Sequence, residues 1–496
     1  YSSFMAAYLS IDSMAQHHGL GEQRGMNEAA TTASGRVRSH RFSNRFAALD
    51  PHAPANGFLE HLGGVTVEGE GVDGPMLGEG DEKTADVDAG IAFFGQFIDH
   101  EITFDPTSEL ERRNDPRALR NFRTPALDLD SVYGGGSEVR PFLYDGRDSA
   151  KLLTGPTEAN PFDEGAPRAA RFGATDLQRN RQGSALLTDP RNDENLVISQ
   201  FQLAFLRFHN RVVDFVRSGD GHALVDDDES VYEAARRIVR WHYQWLVLHE
   251  FLPSVCDGAV LDDIAANGRS YFLQPDSPVS IPVEFAGAAY RYGHSQIRDR
   301  YTLNDDATDV QFFPGPAPET VEHLAEAMAG EGGPPPEIVE EETDRNLNGF
   351  GPVPDDQVID WAHFFDHEPE AAASTAQPGR LIDTEMPPAL MLLPFISHGP
   401  ASLAARNLLR GKALGLPSGQ AIAERMGIDP LENDEIPMPG GRSYADYLRS
   451  VHRGAETEAP LWLYVLGEAA VQEDGHRLGA VGSRIVGEVI RGMVDA

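Results

Sequence analysis

An all-α fold with long connections and little β structure is what this sequence predicts, on three observations. From Asp88 onward apolar residues recur mostly at helical spacing, period-two alternation is scarce, and two long apolar stripes carry helix-start or helix-stop chemistry at their ends. Residues 1 to about 60 have few periodic apolar positions and much Ser, His, Gly and Ala, which reads as an arm over a larger body. The arm is set at 1–40 and a single large domain at 41–496. The clearest helix starts at Leu187-Thr188-Asp189-Pro190, where Asp189 suits a cap and Pro190 a first helical position; Val197, Phe201, Ala204, Phe205, Phe208 and Val212 then form one stripe. A second helix is expected from Ala234 to Phe251, with Ile238, Trp241, Trp245 and Leu248 in the core and Pro253 just beyond it. Between Asn304 and Pro354 the composition shifts to Gly, Pro and Glu, which marks a solvated excursion.

Composition narrows the functions. With 496 residues and 41% hydrophobic side chains a large core is available, and no run approaches the roughly 18 to 20 apolar residues of a membrane span. A soluble chain is expected, and its start at Tyr1 leaves open a targeting segment ahead of it. The formal charge of −37 disfavours nucleic acid and anionic membranes as partners. Lys83, Lys151 and Lys412 are the only lysines, so nearly all positive charge is Arg; this fits a halophilic microbe, and a GC-rich genome would give the same bias. The lone Cys256 excludes an intrachain disulfide, a CxxC zinc site and a cysteine-ligated iron–sulfur cluster.

Chemistry concentrates first in Phe93–Thr103 (FFGQFIDHEIT). On a helix Gln96, Asp99 and His100 fall at i, i+3 and i+4, one polar face on an apolar element. Taken alone, this His reads sooner as a packed core histidine with a carboxylate partner. Other clusters are weaker. His363 and His367 (WAHFFDH) lack the Glu that a zinc protease needs, Gly134-Gly135-Gly136 fits neither GxGxxG nor a P-loop, and His209 sits inside an apolar stripe.

The Phe93–Thr103 stretch resembles the distal helix of the peroxidase–cyclooxygenase superfamily, the animal-type haem peroxidases, and three more segments match that family in chain order. Asp189–Val213 (DPRNDENLVISQFQLAFLRFHNRVV) is similar to the helix opening with a catalytic Arg. Arg291-Tyr292-Gly293-His294 resembles the run with the proximal haem ligand, and Asn407–Pro417 (NLLRGKALGLP) the helix whose Asn holds it. The C-terminal stretch from Pro460 resembles the last helices of prokaryotic members.

The resemblance implies haem b, with His294 as the iron ligand and the Asn407 carbonyl accepting from its second nitrogen. A neutral imidazole with a fixed acceptor is what such a ligand needs. Arg291 and Arg410 would pair with the propionates, His100 would shuttle a peroxide proton, and Arg191 would supply the stabilising cation. Gln96 would contact water or halide. Asp99 and Glu194 correspond to carboxylates that form ester bonds to the haem; Asp193 and Glu194 also suit a helix N-terminus. Asn195 stands where some members carry a sulfonium-forming Met, so chloride oxidation is not expected, and bromide, iodide, thiocyanate or phenols become the expected donors. Calcium would be held by Glu101, Thr124, the Ala126 carbonyl, Asp128 and Asp130, ahead of Val132-Tyr133-Gly134.

The implied function is reduction of hydrogen peroxide with oxidation of small anions or aromatic donors. Two alternatives remain at this point. A fatty-acid dioxygenase needs a Tyr usually three residues before the proximal His, where this chain has Arg291 flanked by Tyr290 and Tyr292. A non-catalytic haem or calcium adhesion protein would not need both His100 and Arg191.

Overall fold

In the computed structural model the described residues are 40–67, 71–78, 83–104, 119–155, 175–272, 279–313, 345–366, 374–393, 396, 399–454 and 457–495. The expected arm lies outside them except for His40, which opens a two-residue strand, His40–Arg41, paired antiparallel with Arg120–Asn121. His367 lies outside them as well.

The class is all-α, as the sequence predicts. The main helices are α1 (Asn56–Gly63), α2 (Ala89–Ile102), α3 (Leu196–Arg217), α4 (Val231–Leu246), α5 (Leu403–Ala413), α6 (Leu461–Gln472) and α7 (Ala480–Val494). Strands among the described residues are two to five residues long and form two-stranded sheets only. One of these sheets sets the start of α2. Strand β1 (Thr84–Asp88) pairs antiparallel with β2 (Pro378–Arg380), and the first α2 amides, from Ala89 and Gly90, donate to the Gln377 and Phe364 carbonyls instead of a side-chain cap.

Helix α2 then crosses α3 with its aromatic face inward. Phe97 stacks on Phe205 at 5.0 Å and 3°, and Phe94 lies over Phe201 at 6.0 Å. On the other side α1 and α5 approach so closely that a Cβ on Gly63 would stand 2.3 Å from the Ala405 nitrogen. Helix α6 is buried along most of its length and packs on α5 and α7.

Three expectations need correcting. The helix expected from Pro190 begins later: Pro190–Asp193 is a single 3₁₀ turn capped by Asp189, and α3 starts at Leu196 with Asn195 accepting from the Ile198 amide at 2.9 Å. Asn195 is the better cap because the chain must turn first to bring Arg191 inward. In the second helix Trp241 and Trp245 are not core; they are 55% and 52% exposed. Its buried residues are Ala234, Ala235, Ile238, Val239 and Tyr243, a face centred about a quarter turn from the two tryptophans, so Ile238 is core as expected; Trp241 lies under the Arg237 guanidinium, 4.8 Å from its ring centre. This helix also widens to a π turn at Val247–Phe251 and continues to Val255 past Pro253, whose missing N–H and ring bulk suit a register shift there. Finally, residues 314–344 of the expected excursion lie outside the described residues, and the described ends of the span 304–354 are not wholly solvated. Arg300–Tyr301 pairs with Val310–Gln311, and Leu347 is fully buried, because Val310, Phe312 and Leu347 supply apolar anchors within the polar composition.

Candidate active site

A cavity of about 230 Å³ lies between α2, the turn 190–195, the 3₁₀ turn Ala289–His294 and α5. A single water needs on the order of 10–15 Å³ on the same measure, so the space is suited to something far larger. Gln96, Asp99, His100, Arg191, Glu194, Arg291, His294 and Arg410 all line it, together with apolar side chains such as Phe42, Leu119, Ile297 and Leu403.

On the α2 side His100 is buried and held at both nitrogens. Its Nδ1 is 2.9 Å from Asn192 Oδ1, and its Nε2 is 3.2 Å from Glu194 Oε1. Gln96 donates to the same Glu194 oxygen, and Asn195 Nδ2 donates to Gln96 Oε1 at 3.2 Å. Asp99 accepts from the Thr103 hydroxyl at 2.7 Å. Arg191 is fixed on three sides: Nη2 donates to the carbonyls of His100 (2.9 Å) and Thr103 (2.6 Å), Asp189 takes Nε and Nη2, and the Phe104 ring lies 4.6 Å from the guanidinium carbon.

Asp189 is the hub of this arrangement. It is fully buried, caps the Arg191 amide, and also accepts from Arg123 Nε at 2.8 Å. Burial alone would raise its carboxyl, but Arg123 and then Arg191 outweigh it and hold the group far below the ordinary carboxylate range. Asp193 faces away from the cavity into a bidentate pair with Arg179, both contacts at 2.7 Å; burial keeps its carboxyl up at about 6 despite that partner.

On the opposite side His294 ends the 3₁₀ turn, with its Nδ1 2.8 Å from Asn407 Nδ2. The expected orientation of Asn407, carbonyl toward the ring, is reversed here. Its Oδ1 instead accepts from Arg291 Nη1 at 3.3 Å, since a guanidinium has only donors and claims the nearest acceptor. Arg291 Nε also donates to the Ala286 carbonyl at 2.8 Å, and Trp462 Nε1 donates to the Arg291 carbonyl at 3.1 Å.

The structure also brings together the carboxylates of Glu101, Asp128 and Asp130, with one oxygen of each within 4.8 Å of the others. Glu101 is fully buried and accepts from the Asp130 and Ser131 amides at 2.8 and 3.0 Å. Leu129 between the two aspartates is buried at φ +59°, a left-handed conformation that costs a non-glycine residue on the order of 1–2 kcal/mol. Thr124 Oγ1 donates to Asp130 Oδ2 at 3.1 Å, and the Ala126 amide bonds to the Thr124 carbonyl at 2.8 Å. Burial first, then Asp130 and Asp128, push the Glu101 carboxyl well above its ordinary value, and burial raises Asp130 to about 6. Such mutual repulsion is what a hard cation relieves. Gly134 closes the loop at φ +58°, where a Cβ would fall 2.2 Å from Thr188 Cγ2.

Sequence reasoning missed several residues around the cavity. Asp189 was legible only as a cap, Asn192 and Arg123 carried no periodic or motif signal, and Phe312 and Phe313 were hidden in a segment of polar composition. The stretch 346–350 also docks on the turn: the Phe350 amide donates to the Asp193 carbonyl at 2.6 Å, and a Cβ on Gly349 would stand 1.9 Å from that oxygen. His209 is a packed histidine as expected, bonded to the Tyr133 hydroxyl at 3.1 Å and the Ala150 carbonyl at 2.9 Å. His363 faces Asp305 at 3.6 Å, at the surface.

Residues 108–491 match the model of the animal haem peroxidase family, and the chain belongs to that family. It is 24% identical over 394 residues to thyroid peroxidase of Mus musculus, covering 77% of this chain and 38% of that protein. It is 28% identical over 227 residues to a peroxidase of Drosophila melanogaster, covering 42% and 30%. The chain thus spans less than two fifths of these relatives' length. Its fold is similar to that of Peroxidase A from Dictyostelium discoideum (TM-score 0.55, 14% identity, 95% of this chain and 91% of that one). It is equally similar to that of the fatty acid alpha-dioxygenase of Oryza sativa (TM-score 0.55, 15% identity, 98% and 84%).

Haem is the group this family binds, and the donor set fits it. Two imidazoles reach one cavity from separate elements, Arg291 and Arg410 line it as cations for carboxylates, and the remaining wall is largely apolar. Among the described residues no helix is long and apolar enough to cross a membrane.

Proposed function

We propose that this protein is a haem peroxidase that reduces hydrogen peroxide and oxidises small anions, such as bromide, iodide or thiocyanate, or phenolic donors. The observation that carries the reading is that His100, Arg191 and His294 line a single cavity. When bound, the haem supplies the iron that takes up peroxide and passes two oxidising equivalents to donors.

The chain's own residues do the rest. His294 would hold the iron through Nε2. That role needs its Nδ1 proton accepted, and so the opposite turn of the Asn407 amide from the one in the structure. Arg291 and Arg410 bind the propionates; a propionate on Arg291 removes its claim on the Asn407 oxygen. With haem bound, His100 Nε2 would take up a proton of the peroxide and return it to the departing oxygen, and the Arg191 guanidinium would stabilise the charge developing there. Gln96 orders water or a small anion beside Glu194. Asp99 and Glu194 are the candidates for ester links, and Asn195 in place of a Met leaves no third link.

Calcium is the cation we assign to Glu101, Asp128, Asp130, Thr124 and the Ala126 carbonyl. Asp128 Oδ1, buried without a hydrogen-bond donor, supports it; Asp130 Oδ1 also lacks such a donor and has only the Arg123 guanidinium near it, 3.5 Å away. We take residues 41–496 as one domain carrying this site. We propose a prokaryotic source from the resemblance of the C-terminal stretch, and salt adaptation from the acidic, lysine-poor composition.

The second reading, a fatty-acid dioxygenase, is favoured by Tyr290 and Tyr292, which both line the cavity, Tyr290 with its hydroxyl donating to the Gly95 carbonyl at 3.1 Å. Reconstituted protein assayed for peroxide-dependent bromide and guaiacol oxidation, and for oxygen uptake with linoleate, separates the two. Fast peroxide turnover supports the peroxidase; oxygen uptake without it overturns the proposal.

A further inference from the structure

We propose that Asn192, itself held by Gln202, is a positioning residue that determines which nitrogen of His100 carries the resting proton. The inference deepens the peroxidase reading and rests on it for its kinetic consequence.

Asn192 is fully buried, and its side chain has one neighbour at each end. Oδ1 is 2.9 Å from His100 Nδ1, and Nδ2 donates to Gln202 Oε1 at 2.9 Å. Gln202 is on α3, 1% exposed, so the relay is anchored in the helix core and not in the turn. A carbonyl oxygen can only accept, so in this arrangement the proton sits on His100 Nδ1. Nε2 is then the nitrogen left to exchange protons with a molecule in the cavity, and Glu194 Oε1 is the group it faces, at 3.2 Å.

The neutrality of the orienting group matters. The charged groups around His100 are Glu194 at Nε2, Asp99 and Glu101 on either side of it on α2, Arg191 at its carbonyl, and Asp189, which the Arg pair neutralises. An amide fixes the tautomer without adding a further negative charge against Nδ1.

The test compares the parent holoenzyme with Asn192→Leu, Asn192→Asp and Gln202→Leu. For a metal-bound histidine, loss of such an orienting partner costs about 10- to 100-fold, and a loss of the same order is expected for this base. Asn192→Leu is expected to lower the second-order rate with hydrogen peroxide by that factor at every pH, with an unchanged Soret band. Asn192→Asp keeps an acceptor at Nδ1, so its rate should recover toward the parent's. Gln202→Leu should fall between them. Spectra of [¹⁵N]histidine-labelled parent protein read the tautomer directly, with or without haem, and a protonated Nδ1 on His100 is expected. A bare Nδ1 in the parent, or an Asn192→Leu enzyme with the parent's rate, overturns the proposal. A parent that shows the Nδ1 proton and yet does not react with peroxide overturns the proposed function and leaves the positioning of His100 supported.

Discussion

Replacing Asp189 by Ala removes the one carboxylate that two buried guanidiniums share. Arg123 and Arg191 are 8% and 7% exposed, and Asp189 accepts from Arg123 Nε (2.8 Å), Arg191 Nε (3.1 Å), Arg191 Nη2 (2.8 Å) and the Arg191 amide (3.0 Å). Removing one partner of a buried pair costs about 3–5 kcal/mol, because the other charge is left unpaired in a medium of low dielectric. Asp130 lies 3.5 Å from Arg123 and offsets part of the loss, while Arg191 keeps only carbonyl acceptors. The expected loss is therefore near the lower bound, about 3 kcal/mol, read from urea unfolding followed by tryptophan fluorescence at pH 7. Asp189→Asn keeps the cap and should cost less. The contribution has a defined pH range: the folded-state carboxyl is far below its unfolded value, so it is present above about pH 4 and fades only in strong acid. A loss below about 1 kcal/mol in Asp189→Ala would refute the claim that this carboxylate organises the Arg191 side of the cavity.

Three further outcomes are expected. His209 is lowered by burial from 6.5 to about 4, so its neutral form contributes up to about 3 kcal/mol above pH 6.5 that is lost as pH falls toward 4; pH-dependent unfolding of His209→Gln should lack that acid-side slope, and an unaltered slope would be contrary. Calcium at 100 times its Kd should stabilise the fold by about 2.7 kcal/mol, and Asp128→Asn with Asp130→Asn should abolish the effect in a thermal scan; an equal shift in parent and double variant would remove the site. Gly349→Ala would push a methyl against the Asp193 carbonyl, so soluble yield or peroxide turnover should drop sharply, and a variant with parental turnover and melting would show that the 346–350 segment does not hold the turn.

Much of this architecture was legible because helices announce themselves through periodicity. The stripe Val197, Phe201, Phe205 and Val212 is buried on α3, and Gln96, Asp99 and His100 share one face of α2 and one cavity. What escaped was set by tertiary partners. Trp241 and Trp245 keep the same helical spacing as a core stripe, and only the packing of α4 through Ala234, Ala235 and Tyr243 decides which face is inside. Helix α2 borrows carbonyls from residues 364 and 377, a contact no local signal announces. Asn192 and Asp189 stand in a turn where each residue could be a cap, and their second roles depend on Gln202 and Arg123, distant in the chain or on another element. The Asn407 amide depends on Arg291, so its orientation followed from a competition and not from the residue type.

The central claim is that an iron porphyrin binds with His294 as its ligand and His100 on its far side. The most direct measurement is the resonance Raman spectrum of the ferrous reconstituted protein beside its His294→Ala and His100→Ala variants. An iron–histidine stretch in the parent and in His100→Ala, lost in His294→Ala, is the expected result. A parent without a Soret band, or a stretch that survives His294→Ala, would contradict the account.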